Sequence, residues 1–301
     1  MRIVALLVAY IISYATDSYA QEKQHYHIAP VDAQKKVNLN VNAASVNCRI
    51  NSTYNTHIVS VYGYPESPGF HPVSHTEILE NTQQVTLDFE DGTSQDLSTN
   101  ISTRMFGSFS ENNNDTKKPW YIYLSKSVPY DLSLNYGIGS STVDLSGLAV
   151  ENLKVNTGSA SIRIGYAANK PNEVVMDTFY TSIDLGVLQL DHLNLSRAKE
   201  VIADVGFGKL LMHFSDNLAE QSRIKASVGA GTLQVTFDDI ENPVIIVVPD
   251  SPLCRIKMPQ SFRKIRPNTF VNEFYQEGAG NLLSFDIDVS VGNVEFITTG
   301  D

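Results

Sequence analysis

One pattern recurs six times in the second half of the chain, and it limits the possible folds more than any other feature. Three inward-type residues alternate along a segment, the alternation slips by one position, two small residues alternate, and two large apolar residues follow. The copies read Leu132, Leu134, Tyr136, Gly137, Gly139, Ser141, Val143, Leu145; then Leu153, Val155, Thr157, Gly158, Ala160, Ile162, Ile164; then Val174, Met176, Thr178, Phe179, Thr181, Ile183, Leu185. The last three are Val201, Ala203, Val205, Gly206, Gly208, Leu210, Met212; Ile224, Ala226, Val228, Gly229, Gly231, Leu233, Val235; and Phe285, Ile287, Val289, Ser290, Gly292, Val294, Phe296. Alternation with period two is a strand with one buried face. Where it slips, two successive residues must face inward, which needs a bulge or corner of the kind glycine tolerates. Copies spaced by roughly two dozen residues fit one turn of a stacked β structure sharing a core. The outward positions, such as Thr142, Asp144, Ser161, Arg163, Ser182, Asp184, Thr232 and Gln234, are polar. The expected fold class is all-β: a β-helix-like β-solenoid of stacked coils of about 20 residues, with few or no helices.

Between the fifth and sixth copies, Val244, Ile246 and Val248 read as a degenerate coil interrupted by Pro249 and Pro252. Cys254, Ile256 and Met258 alternate after it, and a basic, proline-flanked loop runs from Pro259 to Asn268. Earlier, Val37, Leu39 and Val41, then Val46, Cys48 and Ile50, then Val59 and Val61 alternate as strands that could begin the same stack. Tyr64–Pro72 is a proline loop, Val85, Leu87 and Phe89 form a strand ended by Asp91-Gly92, Asn112–Lys118 is a polar excursion, and Trp120, Ile122 and Leu124 reopen the β pattern. Two short helices are expected, at Thr76–Gln83 and Asp216–Gln221. The organisation reads as a signal segment over 1–20, a β-rich part with long loops over 21–118, and the repeats over 119–301, continuous with that part as one domain.

The start of the chain carries an address. Met1 and Arg2 precede an apolar run from Ile3 to Ile12, and Ser18-Tyr19-Ala20 supplies a small-x-small cleavage site before Gln21. A transmembrane anchor needs about 20 apolar residues, and Asp17 falls inside that span. The chain reads as exported, to periplasm, cell surface or medium. Its net charge of −11 argues against a nucleic-acid or anionic-membrane binder, since both need a basic face.

The chain resembles the bacterial toast-rack ("putative adhesin") family of exported β-solenoid proteins. The resemblance rests on Trp120-Tyr121-Ile122-Tyr123-Leu124, Val128-Pro129-Tyr130-Asp131-Leu132, Gly137-Ile138-Gly139, Val143-Asp144-Leu145-Ser146-Gly147-Leu148, Val155-Asn156-Thr157-Gly158-Ser159 and Val228-Gly229-Ala230-Gly231. It covers roughly Lys35 to Ile297. It implies a fold and a compartment; it carries no catalytic residues, because the family has no agreed activity to transfer. A related domain ends certain envelope-stress regulatory proteins. The basic segment with Arg255, Lys257, Arg263, Lys264 and Arg266 departs from the family pattern.

Candidate chemistry is sparse. His25 and His27 form an H-x-H without an evident third ligand, and His71, His75 and Glu77 could converge only on a helix that Pro72 weakens. The Gly-x-Gly units run into strands rather than into the helix that a phosphate cradle needs. Asp286 and Asp288 share an outward face, where a calcium or acid–base role competes with plain solvation. Cys48 and Cys254 sit near opposite ends of the stack, which favours free thiols over a disulfide. No catalytic, cofactor-binding or metal residue is assigned, and no cofactor is expected. The expected function is non-enzymatic: an adhesin-like surface for an envelope protein or glycan partner. The alternatives are a regulatory or sensor domain of an envelope-stress system and an envelope polysaccharide-active enzyme on a β-helix. N-terminal sequencing of envelope-fraction protein should begin at Gln21; Met1 retained on cytosolic protein would contradict the export reading.

Overall fold

The computed structural model describes residues 23–31, 35–45, 47–64, 72–89, 119–216, 218–238, 240–249 and 251–299. The expected signal segment, Val46, His71, Asp91-Gly92 and Asn112–Lys118 lie outside them. Among these residues seventeen strands form one open sheet. They are β1 (Gln24–Ile28), β2 (Lys36–Ser45), β3 (Cys48–Thr53), β4 (Val59–Gly63), β5 (Val73–Leu79), β6 (Thr82–Phe89), β7 (Trp120–Ser125), β8 (Pro129–Asp144), β9 (Ala149–Gly165), β10 (Met176–Asp191), β11 (Ala198–Phe214), β12 (Ser222–Phe237), β13 (Val244–Val247), β14 (Cys254–Lys257), β15 (Arg263–Arg266), β16 (Thr269–Val271) and β17 (Leu283–Thr298). A single 3-10 turn, Leu193–Ser196, is the only helical element among the described residues. No helix of these residues is long and apolar enough to cross a membrane.

Strands β8, β9, β10, β11, β12 and β17 lie parallel and in register, so that Leu132, Leu153, Phe179, Val201, Ile224 and Phe285 stand side by side. Each of these strands folds back on itself. Phe285 and Phe296 of β17 stack edge to face at 5.5 Å, although eleven residues of straight strand would span about 36 Å. The inner sides of the two halves therefore meet, and their side chains form one continuous core.

The fold-back lies at the small-residue positions. Gly186, Gly208, Gly231 and Gly292 sit in one column with φ from 134 to 149°. A Cβ on Gly231 would collide with the carbonyl oxygen of Gly208, and the same holds for each column glycine against the strand before it. Both small positions of each copy were expected to face the interior. Instead Gly229, Asp184 and Ser290 are exposed at the corner. What restricts Gly229 is the backbone of Gly206 one strand away, not the opposite wall.

The third copy also needs a correction of register. Phe179, Thr181 and Ile183 align with Val201, Ala203 and Val205, and Leu188 and Leu190 with Leu210 and Met212. The slip therefore falls after Ile183, not after Thr178. Asp184 takes the first small position and escapes the core by pointing into solvent.

Buried asparagines close the turns between strands. Asn172 accepts from the Val150 amide at 2.9 Å and donates to the Val150 carbonyl at 2.7 Å. Asn242 makes the matching pair with Leu218, at 2.7 and 3.1 Å. A short side chain thus supplies both partners to backbone groups that a buried turn would leave bare.

The N-terminal strands extend the same arrangement. β2 and β3 lie in register on the two halves of β8, and β6 and β7 lie on β2 and β3. At the other end, β17 is inserted between β12 and the degenerate coil formed by β13 and β14. Neither expected helix is present. Thr76–Gln83 forms a hairpin of β5 and β6 that turns at Glu80-Asn81, with Glu80 at φ 56°, because β6 is needed to continue the ladder on β2. Asp216–Gln221 is an irregular link among its described residues. Cys48 is buried and Cys254 partly exposed, both are free, and they occupy opposite ends of the stack.

The corner geometry makes a measurable contrast. Gly231→Val should cost more than the roughly 1–3 kcal/mol of ordinary overpacking, because collision and positive φ combine. Gln234→Val, on the outer face three residues on, should cost about 0.5 kcal/mol or less. Thermal melts giving equal, small shifts for the two would refute the corner.

Candidate functional site

The outward faces of β3, β7, β4 and β1 build the most distinctive surface of the molecule. In β7, Trp120, Ile122 and Leu124 face the core, which turns Tyr121 and Tyr123 outward. In β4, Val59 and Val61 are buried, and Tyr62 points out beside them. β4 runs antiparallel to β7 and sets Tyr62 opposite Tyr121. β1 runs antiparallel to β4 and sets His25 opposite Tyr62 and His27 opposite Ser60.

The rings form a connected set. Tyr121 and Tyr123 are near parallel, with centroids 6.4 Å apart and planes 14° apart. Tyr62 meets Tyr123 edge to face at 5.5 Å. His25 and His27 pack against Tyr62 at 4.7 and 5.6 Å, and His57 stacks on His27 at 4.6 Å. Ser60 lies beneath, 3.0 Å from His27 Nδ1 and accepting from Asn55 Nδ2 at 3.2 Å. Tyr62, Tyr64, Tyr121 and Tyr123, with Lys23, Thr53 and Asn55, line an open groove of about 650 Å³.

Cations surround this groove. The Lys23 ammonium lies 5.1 Å from the centre of the Tyr62 ring, and the Arg49 guanidinium 5.9 Å from that of Tyr121. Lys126 lies 5.1 Å from the ring of the exposed Tyr54. Among the described residues the groove lining contains no carboxylate, although the chain carries a net charge of −11. Such a surface offers flat apolar faces, hydroxyl and amide groups at their rims, and positive charge. Partial burial, and then the imidazoles of His57 and His25, hold His27 below its ordinary pKa of 6.5.

His25 and His27 do share a face, and a third imidazole, His57, comes from the loop before β4. Even so, no three His, Cys, Asp or Glu side chains among the described residues are grouped to hold a metal ion. His75 and Glu77 lie on strand β5, both exposed, rather than on a helix. Asp286 and Asp288 are exposed on the outer face of β17. The Gly-x-Gly units are corners within strands. Burial raises the thiol pKa of Cys48, which lies 3.1 Å from the Tyr136 hydroxyl inside the core. The tyrosines were not singled out in the sequence, although one signal was available. Once Trp120, Ile122 and Leu124 are placed inward, Tyr121 and Tyr123 become large aromatics on a face that elsewhere carries Ser, Thr and Asn.

The family model described as the N-terminal domain of toast_rack matches residues 18–188. A crystal structure described as that of a "putative cell adhesion protein" from Clostridium sporogenes ATCC 15579 is similar at 15% identity and a TM-score of 0.45, over 92% of this chain and 99% of that one. No curated protein matches.

The depressed His27 pKa has a definite sign. The unfolded chain binds a proton at His27 more readily than the folded one, so stability falls as pH drops through about 6.5. The loss stops growing below the folded-state pKa. His27→Gln should therefore gain melting temperature relative to wild type as pH falls from about 7.5 to 5.5. A difference independent of pH would refute the linkage.

Proposed function

Because the chain belongs to the toast-rack family, matched over more than half its length, we propose that it is a non-enzymatic, exported β-solenoid of adhesin type whose tyrosine groove binds an acidic glycan. In this reading each folded strand is one coil of the solenoid, and the coils form a rigid rod that carries the groove near its N-terminal end. The observation that carries the reading is a groove lined by Tyr62, Tyr121 and Tyr123, with Lys23 against Tyr62, Arg49 against Tyr121 and no carboxylate among the described lining residues. The C–H hydrogens of a pyranose ring bear partial positive charge and fit the negative face of an aromatic ring. Asn55, Thr53 and the phenol hydroxyls suit the hydroxyls of a sugar. Lys23 and Arg49 suit a uronate or other acidic substituent, which an acidic chain would otherwise repel. The same feature disfavours the polysaccharide-active enzyme, which needs carboxylates where the sugar lies.

The test uses polygalacturonate and dextran as acidic and neutral probes. Purified protein should retain on polygalacturonate, release as ionic strength rises, and bind dextran weakly. Tyr121→Ala with Tyr123→Ala should weaken retention at least about tenfold while the melting temperature holds. Equal binding of both probes, no binding of either, or retention untouched by the alanines would overturn the proposal. Release of new reducing ends or unsaturated products would overturn its non-enzymatic part.

A further inference from the structure

The outer side of the glycine corner carries a second surface, independent of the groove. The residue preceding each column glycine points away from the core, and in register these are Leu185, Phe207, Ala230 and Val291. Leu253 continues the line: its carbonyl accepts from the Gly292 amide at 3.0 Å, and Cys254 pairs with Gly292. Phe207 is 62%, Val291 46% and Leu253 65% exposed. Four adjacent strands and the residue before β14 thus present an apolar ridge about 19 Å long. Monomeric proteins seldom leave large apolar residues contiguous in this way without a partner.

Charge on either side of the ridge selects the partner. On the side of the first half-strands lie Asp184, Asp204 and Asp288. On the side of the second half-strands lie Lys209 and Arg255, both exposed. None of these five is in a salt bridge among the described residues. We infer that the ridge is the interface of a symmetric dimer of this chain, with the two-fold axis running along the ridge. A rotation about that axis turns the acidic flank of one copy onto the basic flank of the other. A two-fold axis across the ridge would set aspartates against aspartates.

The arrangement places strand β11 opposite its own counterpart. Phe207 meets Phe207 of the partner subunit, and Lys209 faces Asp204 of the partner subunit. The two stacks run in the same direction, so both tyrosine grooves lie at one end of the dimer, where a polymeric ligand can engage them together. The dimer itself does not depend on what the groove binds.

Sedimentation equilibrium of the purified protein at micromolar concentration should show a dimer. Phe207→Asp should raise its dissociation constant at least about tenfold and leave the melting point of the monomer unchanged, because Phe207 is outside the core. Lys209→Asp alone should weaken association, and adding Asp204→Lys should restore it, since the swapped pair still matches across the axis. In a Cys254→Ser background, Leu185→Cys should cross-link two copies on mild oxidation, because position 185 meets itself. A monomeric wild type, or a dimer indifferent to Phe207→Asp, would overturn the interface. Failure of the charge swap to restore association, or of position 185 to cross-link, would overturn the parallel arrangement.

Discussion

At the corner of the stack, the α-carbons of Gly186, Gly208, Gly231 and Gly292 lie against the carbonyl oxygens of Ala160, Gly186, Gly208 and Gly231. The approach is backbone to backbone and leaves no volume for a side chain. It lets a strand of 16 or 17 residues reverse direction without leaving its hydrogen-bonded ladder. Both halves of every strand then turn their apolar sides to one interior. The positive φ of these residues is one that L side chains rarely adopt. Ala160 occupies the column between Gly139 and Gly186 without a positive φ, so the constraint relaxes by one member there.

Once the corners are set, the inside of the molecule is a matter of volume and the outside is free. The inner positions hold Leu, Val, Ile and Phe, with Cys48, Tyr136 and Ser141 forming a small buried polar cluster. The outer positions carry ladders that need no particular chemistry, such as Asn156 donating to Asn135 at 3.1 Å and Asn135 to Asn42 at 3.0 Å. Against that background, three tyrosines and two histidines on the three strands β1, β4 and β7, joined by His57 from the loop before β4, stand out. The antiparallel strands β4 and β1 bring Tyr62 and the histidines to Tyr121 and Tyr123, which the parallel stack alone would leave as an isolated pair.

The all-β class, the strand positions and the corners were legible because alternation and glycine record them residue by residue. In the third copy the pattern points to a corner five residues before the true one, for a physical reason. Val174 and Met176 alternate as a strand would, and Asp184 stands where a small residue marks the corner elsewhere. The hairpin at Glu80-Asn81 was hidden because its ladder partner, β2, is distant in sequence and outweighs local preference. The groove was hidden for a similar reason: Tyr62 and Tyr121 are far apart in the chain, and only the β4–β7 pairing makes them neighbours. The apolar ridge was visible only after the third copy was placed in its true register.

The insertion of β17 between β12 and β13–β14 has a consequence for how the molecule is made. A chain synthesised or translocated from its N-terminus completes β12 well before its lasting neighbour exists. Until Leu283–Thr298 arrives, the lower edge of β12 is a bare row of amides and carbonyls beside an unfilled apolar slot. β13 and β14, made earlier than β17, end up on its far side rather than on β12. The final segment acts as a keystone: the arch stands unlocked through nearly all of its construction, and anything that pairs with the waiting edge first diverts it.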